Sequence, residues 1–463
     1  MRRLVSINIE GLLGRFSPKV RIPEEWEFVI IHGPNGVGKT RLLEIIENTF
    51  RFRPHVLANI PFASATFMFD DGAQLEVDRE VIAPQSFGIG DEPDTDDPEP
   101  LLEFRLKGVS NDVIRWSLKR QSLRISPVRL REMERFLPVE RLGGDQWLDH
   151  PSGEVVTLED IAERYSDAFP FESGPPLDVP EAIREFLGEV EVHLIETQRL
   201  LRYDRASKVQ TRQSPSAQRA TVQQFAEDLT RRIAEALAQN SRISQQLDRT
   251  FPRRILAESI PIEVSDDDIR RRYEEQSRLR TSLSDIAVLD ASGDLPLPQR
   301  DLEAWERGVL WTYLDDTETK LATFRDLLDR VTLIREIINS RFLFKELRID
   351  PEKGFRFVTN EGLDVYSQNL SSGEQHELVL LYDLLFNVRR GSIVLVDEPE
   401  ISLHIAWQQQ FLNDIQRIAS LSDLQFIIAT HSPQIIHTWS ARAIPLAPAD
   451  LMLAEFGEDL GGA

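Results

Sequence analysis

Apolar residues are arranged in two ways along the chain. Short unbroken runs at Phe28–His32, Ile393–Val396 and Leu424–Thr430 read as strands buried on both faces of a parallel sheet. Leu42, Leu43, Ile45 and Ile46 follow the first run at helical spacing. In the middle of the chain Val222, Phe225, Leu229, Ile233 and Leu237 recur in steps of three and four, one stripe on a long helix over 221–247. Leu321, Phe324, Leu328, Val331, Ile338 and Phe342 follow a near-heptad over 321–342, interrupted by Arg335. A polar helix over 266–286 lies between them, and strand signals return at 344–350, 355–359 and 363–368.

This pattern predicts an α/β domain in two pieces, 1–212 and 346–463, interrupted by a helical insertion over 213–345. The first and last helices of the insertion are expected to pack as an antiparallel pair, an arm of roughly 33–40 Å at ~1.5 Å per residue. No internal repeat is evident.

The polar stretches between these elements carry the chemistry. After the first strand comes Gly33-Pro34-Asn35-Gly36-Val37-Gly38-Lys39-Thr40, and then a helix. This is the G-x-x-x-x-G-K-[ST] loop in its required context. Its glycines let the backbone wrap phosphates, Lys39 reaches the β- and γ-phosphates, and Thr40 offers its hydroxyl to magnesium. A second small, polar segment, Leu370-Ser371-Ser372-Gly373-Glu374-Gln375, precedes another apolar helix and also suits an anion. The run Ile393–Val396 ends in Asp397-Glu398, at the carboxyl end of a strand, where α/β sheets bind ligands. There Asp397 is placed to hold the metal, and Glu398 to orient and deprotonate a water. The Leu424–Thr430 run ends in His431-Ser432-Pro433, whose imidazole can meet a γ-phosphate or that water.

Composition narrows the setting. The chain has 463 residues, no cysteine and a formal charge of −23. Disulfides and thiolate metal sites are excluded, and no apolar run is long enough to span a bilayer. With an N-terminus unlike a signal peptide, a cytoplasmic protein is expected. The charge argues against coating nucleic acid with the whole surface. Basic clusters over 118–135 and 197–212 suit local contact with DNA or RNA, or are solvated faces with ion pairs. Residues 90–103 are rich in Asp and Pro and read as a solvated loop.

The ordered set GPNGVGKT, LSSGEQ, VLVDEPE, Ser-Leu-His and IIATHSP resembles the ATPase head of the ABC superfamily, in the branch of SMC, RecF and OLD ATPases. The resemblance covers roughly residues 1–70 and 341–440. It implies a P-loop NTPase head that uses ATP and Mg2+. In that head Lys39 and Thr40 belong to Walker A, Asp397 and Glu398 to Walker B, Ser371 to Glu374 to the signature, and His431 is the switch histidine. Gln198 is implied as the Q-loop residue, sharing the metal with Thr40 and Asp397. Ile401-Ser402-Leu403-His404 has the OLD-like form and departs from the D-loop of transporters.

The resemblance also explains why one chain holds two phosphate-binding segments. In this superfamily the signature caps the ATP of a second head, which implies a head-to-tail homodimer or a larger assembly of such dimers. With about thirty residues after His431, too few for a nuclease domain, the compact chain resembles the ATPase subunits of antiphage systems such as PARIS or Septu. That reading implies a sensor or scaffold with a separate effector chain, a nuclease or toxin, and a phage-encoded trigger. The alternative is an SMC- or RecF-like clamp in DNA repair; a transporter subunit would lack the insertion.

Overall fold

The computed structural model describes residues 2–80, 100–108, 113–119, 134–143, 146–149, 154–157, 161, 165, 179–196, 215–257, 264–286, 288, 296–366, 369–401 and 405–446. The chain forms two compact units, one from residues 1–217 and 388–463, the other from 218–387.

The first unit contains the expected parallel sheet. Its order is Val192–Glu196, Ile393–Asp397, Gln425–Thr430, Phe28–His32 and Ala443–Pro445, every neighbouring pair parallel. Phe28, Val29, Ile30, Ile31 and Val394 to Val396 are fully buried, because both faces of the sheet are covered. A six-stranded antiparallel sheet joins it, in the order Lys19–Arg21, Leu4–Glu10, Ser64–Phe69, Gln74–Arg79, Pro100–Lys107 and Val113–Lys119. Gln425 ties the two sheets together, its side chain accepting from Leu4 N at 3.1 Å and donating to Leu4 O at 2.8 Å.

The helix Lys39–Phe50 buries Leu42, Leu43, Ile45, Ile46 and Phe50 in the core of this unit. At about 1.5–3 kcal/mol for each large apolar side chain, their burial contributes on the order of 10 kcal/mol before entropy is counted. Phe50 adds edge-to-face contacts with Phe67 and Phe69 at centroid distances of 5.0 and 5.9 Å.

The second unit departs from the expected arm. Its first helix, Pro215–Ala257, has 43 residues, about 65 Å at ~1.5 Å per residue, well beyond the predicted reach. Its antiparallel partner is Ala304–Ala322, where an arm ending in 321–342 was expected. Asn240 Nδ2 donates to Lys320 O at 2.8 Å, Lys320 pairs with Asp248 at 2.7 Å, and Arg254 holds Asp316 through both oxygens at 2.5 and 2.6 Å. The near-heptad breaks at Phe324, the N-cap of a separate helix, Arg325–Arg341.

That last helix buries Leu327, Leu328, Val331, Leu333, Ile334, Ile337 and Ile338. A stripe that wide is the mark of a helix inside a core, whereas a coiled-coil seam is narrower. Arg335, the interruption, donates to Asp285 O at 3.1 Å. The helix packs on the strand Lys345–Asp350 and the signature helix Ser372–Tyr382. Residues 346–387 therefore stay with the helices, and the helical part extends past the expected boundary at 345. The hairpin Lys345–Thr359 meets the long helix at Gly354, where a Cβ would lie 2.2 Å from Ala226 O. Only glycine fits there, the more so at its φ of +70°. Phe225 stacks on Tyr382, and the Tyr382 hydroxyl donates to Asp228 at 2.7 Å.

Candidate functional site

In the first unit the nucleotide loop joins the carboxyl end of Phe28–His32 to the helix that begins at Lys39. Gly38 has φ +94°, and a Cβ there would come within 2.9 Å of Leu12, so the loop is closed from behind by the Gly11–Phe16 turn. Lys39 is buried, and its Nζ donates to Gly33 O at 2.9 Å and Pro34 O at 3.1 Å. The ammonium thus satisfies itself on the carbonyls of its own loop, over the turn that would cradle phosphates. Burial and the Lys39 charge hold the imidazole of His32, at the loop's entrance, below its usual pKa.

Parallel pairing aligns the ends of three strands: Thr430 with His32, and Asp397 with Ala429. Thr40 Oγ1 donates to Asp397 Oδ2 at 2.9 Å across 357 residues of sequence. A hydroxyl and a carboxylate side by side make a hard-oxygen pair of the kind Mg2+ takes, so these residues fit the metal the fold implies. Burial pushes the Asp397 carboxyl up to about 6; the Glu398 charge adds to this, while the Thr40 hydrogen bond and Lys39 oppose it.

Glu398 follows with φ +46°, a left-handed conformation rare for a residue with a Cβ. Its N–H is tied to Ala429 O at 2.8 Å. Such local strain is of order 1–3 kcal/mol and is kept where a side chain must be aimed. Glu398 Oε1 lies 3.7 Å from His431 Nδ1, so acid and imidazole face each other.

Sequence reasoning assigned no role to Glu400. Its carboxylate is buried and lies closer to His431 Nδ1, at 3.0 Å. It also accepts from Thr430 Oγ1 at 2.7 Å and His431 N at 2.8 Å. The available signal was a third acidic residue two positions beyond Glu398, in a segment that is otherwise apolar.

The signature belongs to the second unit. Ser371 caps the helix Ser372–Tyr382: its Oγ accepts from Glu374 N at 3.3 Å while Glu374 Oε2 accepts from Ser371 N at 2.7 Å. Lys345 grips the same carboxylate at 2.8 and 3.0 Å. Partial burial opposes it, but Lys345 and the Ser371 groups hold the Glu374 carboxyl below the usual range. Ser371 and Glu374 thus build the end of the helix, while Ser372 is exposed and open space surrounds the missing Cβ of Gly373. Gln198, Ser402 to His404 and nearly all of the two basic clusters lie outside the described residues.

Residues 28–437 match the protein family described as "AAA domain, putative AbiEii toxin, Type IV TA system". The chain belongs to this family. Its P-loop, its parallel sheet and the Thr40–Asp397 pairing are the parts of an α/β nucleotide-binding domain, in keeping with the AAA domain of that family. Among curated relatives, the "Retron Ec83 probable ATPase" of Escherichia coli is 24% identical over 191 residues, 35% of this chain and 34% of that protein. The "Retron Vc95 probable ATPase" of Vibrio cholerae serotype O1 biovar El Tor is 32% identical over 100 residues, 19% of each. Protein ea59 of Escherichia phage lambda is 28% identical over 144 residues, 29% of this chain and 27% of that protein. The matched stretches span about a third or less of these relatives' own length. A Pyrococcus furiosus Smc head domain with an extended coiled coil, bound to the C-terminal domain of ScpA, aligns over 100% of both chains at 14% identity, with a TM-score of 0.34. Among the described residues no helix is long and apolar enough to cross a membrane.

Proposed function

We propose that this chain is an ATPase whose active site is completed by the signature of a second copy, and that it serves antiphage defence beside a separate effector chain. The observation that carries the ATPase reading is the convergence of Lys39, Thr40, Asp397, Glu398 and His431 at one edge of the parallel sheet. On this reading Lys39 exchanges its loop carbonyls for phosphate oxygens when ATP enters. Thr40 and Asp397 would hold Mg2+, which would supply positive charge to the phosphates. Glu398 orients the attacking water and accepts its proton, and His431 approaches from the neighbouring strand end.

The composite site rests on the signature itself. Ser372 and Gly373 leave a helix N-terminus open to solvent, a place for the γ-phosphate held by another copy. Gln198 would complete the metal site. The matches to two retron ATPases favour defence over the repair clamp. The effector would be a nuclease or toxin, released or activated from the cytosolic ATP-bound assembly when a phage-encoded trigger is sensed.

The test is expression of this gene with and without its neighbours in a bacterial host challenged by a phage panel. Protection should need the neighbouring effector and vanish with Lys39→Ala. DNA-damage sensitivity on deletion, with no protection from any neighbour combination, would replace this reading with the SMC- or RecF-like repair clamp.

A further inference from the structure

We propose that Glu400 is the positioning residue of His431, fixing the imidazole proton on Nδ1 so that Nε2 is the nitrogen presented to the γ-phosphate or its water. The inference rests on the ATPase reading above, and adds to it a carboxylate outside the Walker pair.

Three groups from one strand end converge on a single oxygen, Glu400 Oε1: Thr430 Oγ1 at 2.7 Å, His431 N at 2.8 Å and His431 Nδ1 at 3.0 Å. The first two are donors by necessity. A neutral imidazole carries one N–H, and a carboxylate can only accept, so closing this 3.0 Å approach into a hydrogen bond places the ring proton on Nδ1. Glu398 Oε1, at 3.7 Å, lies beyond hydrogen-bonding distance of that nitrogen. Of the two acids, Glu400 is the nearer to the ring, and it is the one assigned to hold it.

Glu400 is itself held in place. The left-handed turn at Glu398 feeds the 3-10 turn Pro399–Ile401, which brings residue 400 back toward the strand end. Ile401 N donates to Glu398 O at 3.2 Å, and Gln408 Nε2 donates to Glu400 O at 3.1 Å. Gln408 Oε1 in turn accepts from Ser432 Oγ at 3.1 Å, one residue beyond His431. Glu400 Oε2 is buried with no hydrogen-bond partner among the described residues. A carboxylate retained at such a desolvation cost needs a cationic or strongly polarised neighbour, and His431 is the titratable base in contact with it. The carboxylate thus orients the ring through its Nδ1 side. A carboxylate behind a functional histidine does the same in hydrolytic triads and metal sites.

The alternative is a purely structural clamp on Thr430 and the His431 amide, and a double-mutant cycle separates the two roles. Glu400→Gln keeps an acceptor oxygen for Thr430 and the amide while removing the charge. Single-turnover ATP hydrolysis should fall about tenfold, the low end for partners that orient a functional histidine, with ATP affinity within about twofold of wild type. In a His431→Ala background the same substitution should have no further effect. Histidine-selective 15N NMR of the unaltered protein should show His431 as the Nδ1–H tautomer, and that readout stands even if Glu400→Gln does not fold. Equal losses in both backgrounds, or an Nε2–H tautomer, would overturn the proposal. Absence of hydrolysis in wild type would defeat the ATPase reading instead, while the tautomer would still decide the Glu400–His431 pairing.

Discussion

The two phosphate-binding segments of this chain differ in how complete they are. The Walker side is closed on itself: Lys39 is buried on its own loop, Thr40 donates to Asp397, and the His431 ring lies against Glu400. The partners there come from the loop itself and from neighbouring strand ends of one sheet. The signature side is half closed. Ser371, Glu374 and Lys345 satisfy one another at the helix end, while Ser372 and the edge of Gly373 face solvent. A site whose groups answer each other can bind a nucleotide by exchange of partners. A helix end with its outer surface left open is built to be approached. The contrast is the physical content of the composite-site proposal, and it can be broken from either side.

The largest effect is expected on the Walker side. Glu398→Gln removes the proton acceptor but keeps size and shape, so ATP hydrolysis should fall by about 10²–10⁴-fold while ATP binding persists. Filter binding and phosphate release measure the two separately; turnover equal to wild type would take Glu398 out of its role.

On the signature side, Ser372→Arg places a bulky cation on the exposed helix end without touching the Ser371–Glu374 cap. Turnover and ATP-dependent dimerisation should be lost, while each copy still binds one nucleotide. Light scattering with and without ATP reads the outcome. Normal hydrolysis by a monomeric variant would break the comparison outright, since the signature would then serve nothing outside its own chain.

The smallest effect sharpens the comparison through pH. His376, on the signature helix, is held neutral by burial, with its pKa down to about 4, and its Nε2 has no hydrogen-bond partner among the described residues. The unfolded chain takes up this proton near 6.5 and the folded one only near 4, so stability is lost as pH falls through that window, about 3 kcal/mol in all. Asp397, on the Walker side, has the opposite sign. Its raised pKa favours folding below about 4, and that contribution fades as pH rises through about 6. Hydrogen exchange at pH 7 and pH 5 should therefore show protection falling in the unit that holds the signature and holding steadier around Asp397. His376→Phe should flatten the first trend; an unchanged pH response in that variant would assign the acid sensitivity elsewhere.

Much of this was legible in the residues alone. A loop with Lys39-Thr40 in register, two apolar runs ending in Asp397-Glu398 and His431, and the Ser-Ser-Gly segment each carry a local signature, because strand periodicity and phosphate chemistry act within a few residues. The antiparallel pairing of 215–257 with 304–322 was not legible. The stripe along 321–342 shows that a helix is buried, but the same spacing serves an arm and a core, and the break at Phe324 has no glycine or proline to announce it. Glu400 was hidden for a related reason. Its partners, Thr430 and His431, lie thirty and thirty-one residues away, and they meet it because parallel pairing aligns neighbouring strand ends.

The sequence by itself determined the nucleotide loop, the apolar strand runs at Phe28–His32, Ile393–Val396 and Leu424–Thr430, and the kinds of side chain at their ends, since each follows from local spacing and backbone propensity. Tertiary structure alone decided which of those ends meet. The Thr40–Asp397 contact, the turn that returns Glu400 to His431, and the close approach of Ala226 that demands glycine at 354 all join residues far apart in the chain. Contacts of that kind arise only when burial of the sheet and helices fixes the register of every strand at once, which no local pattern can encode.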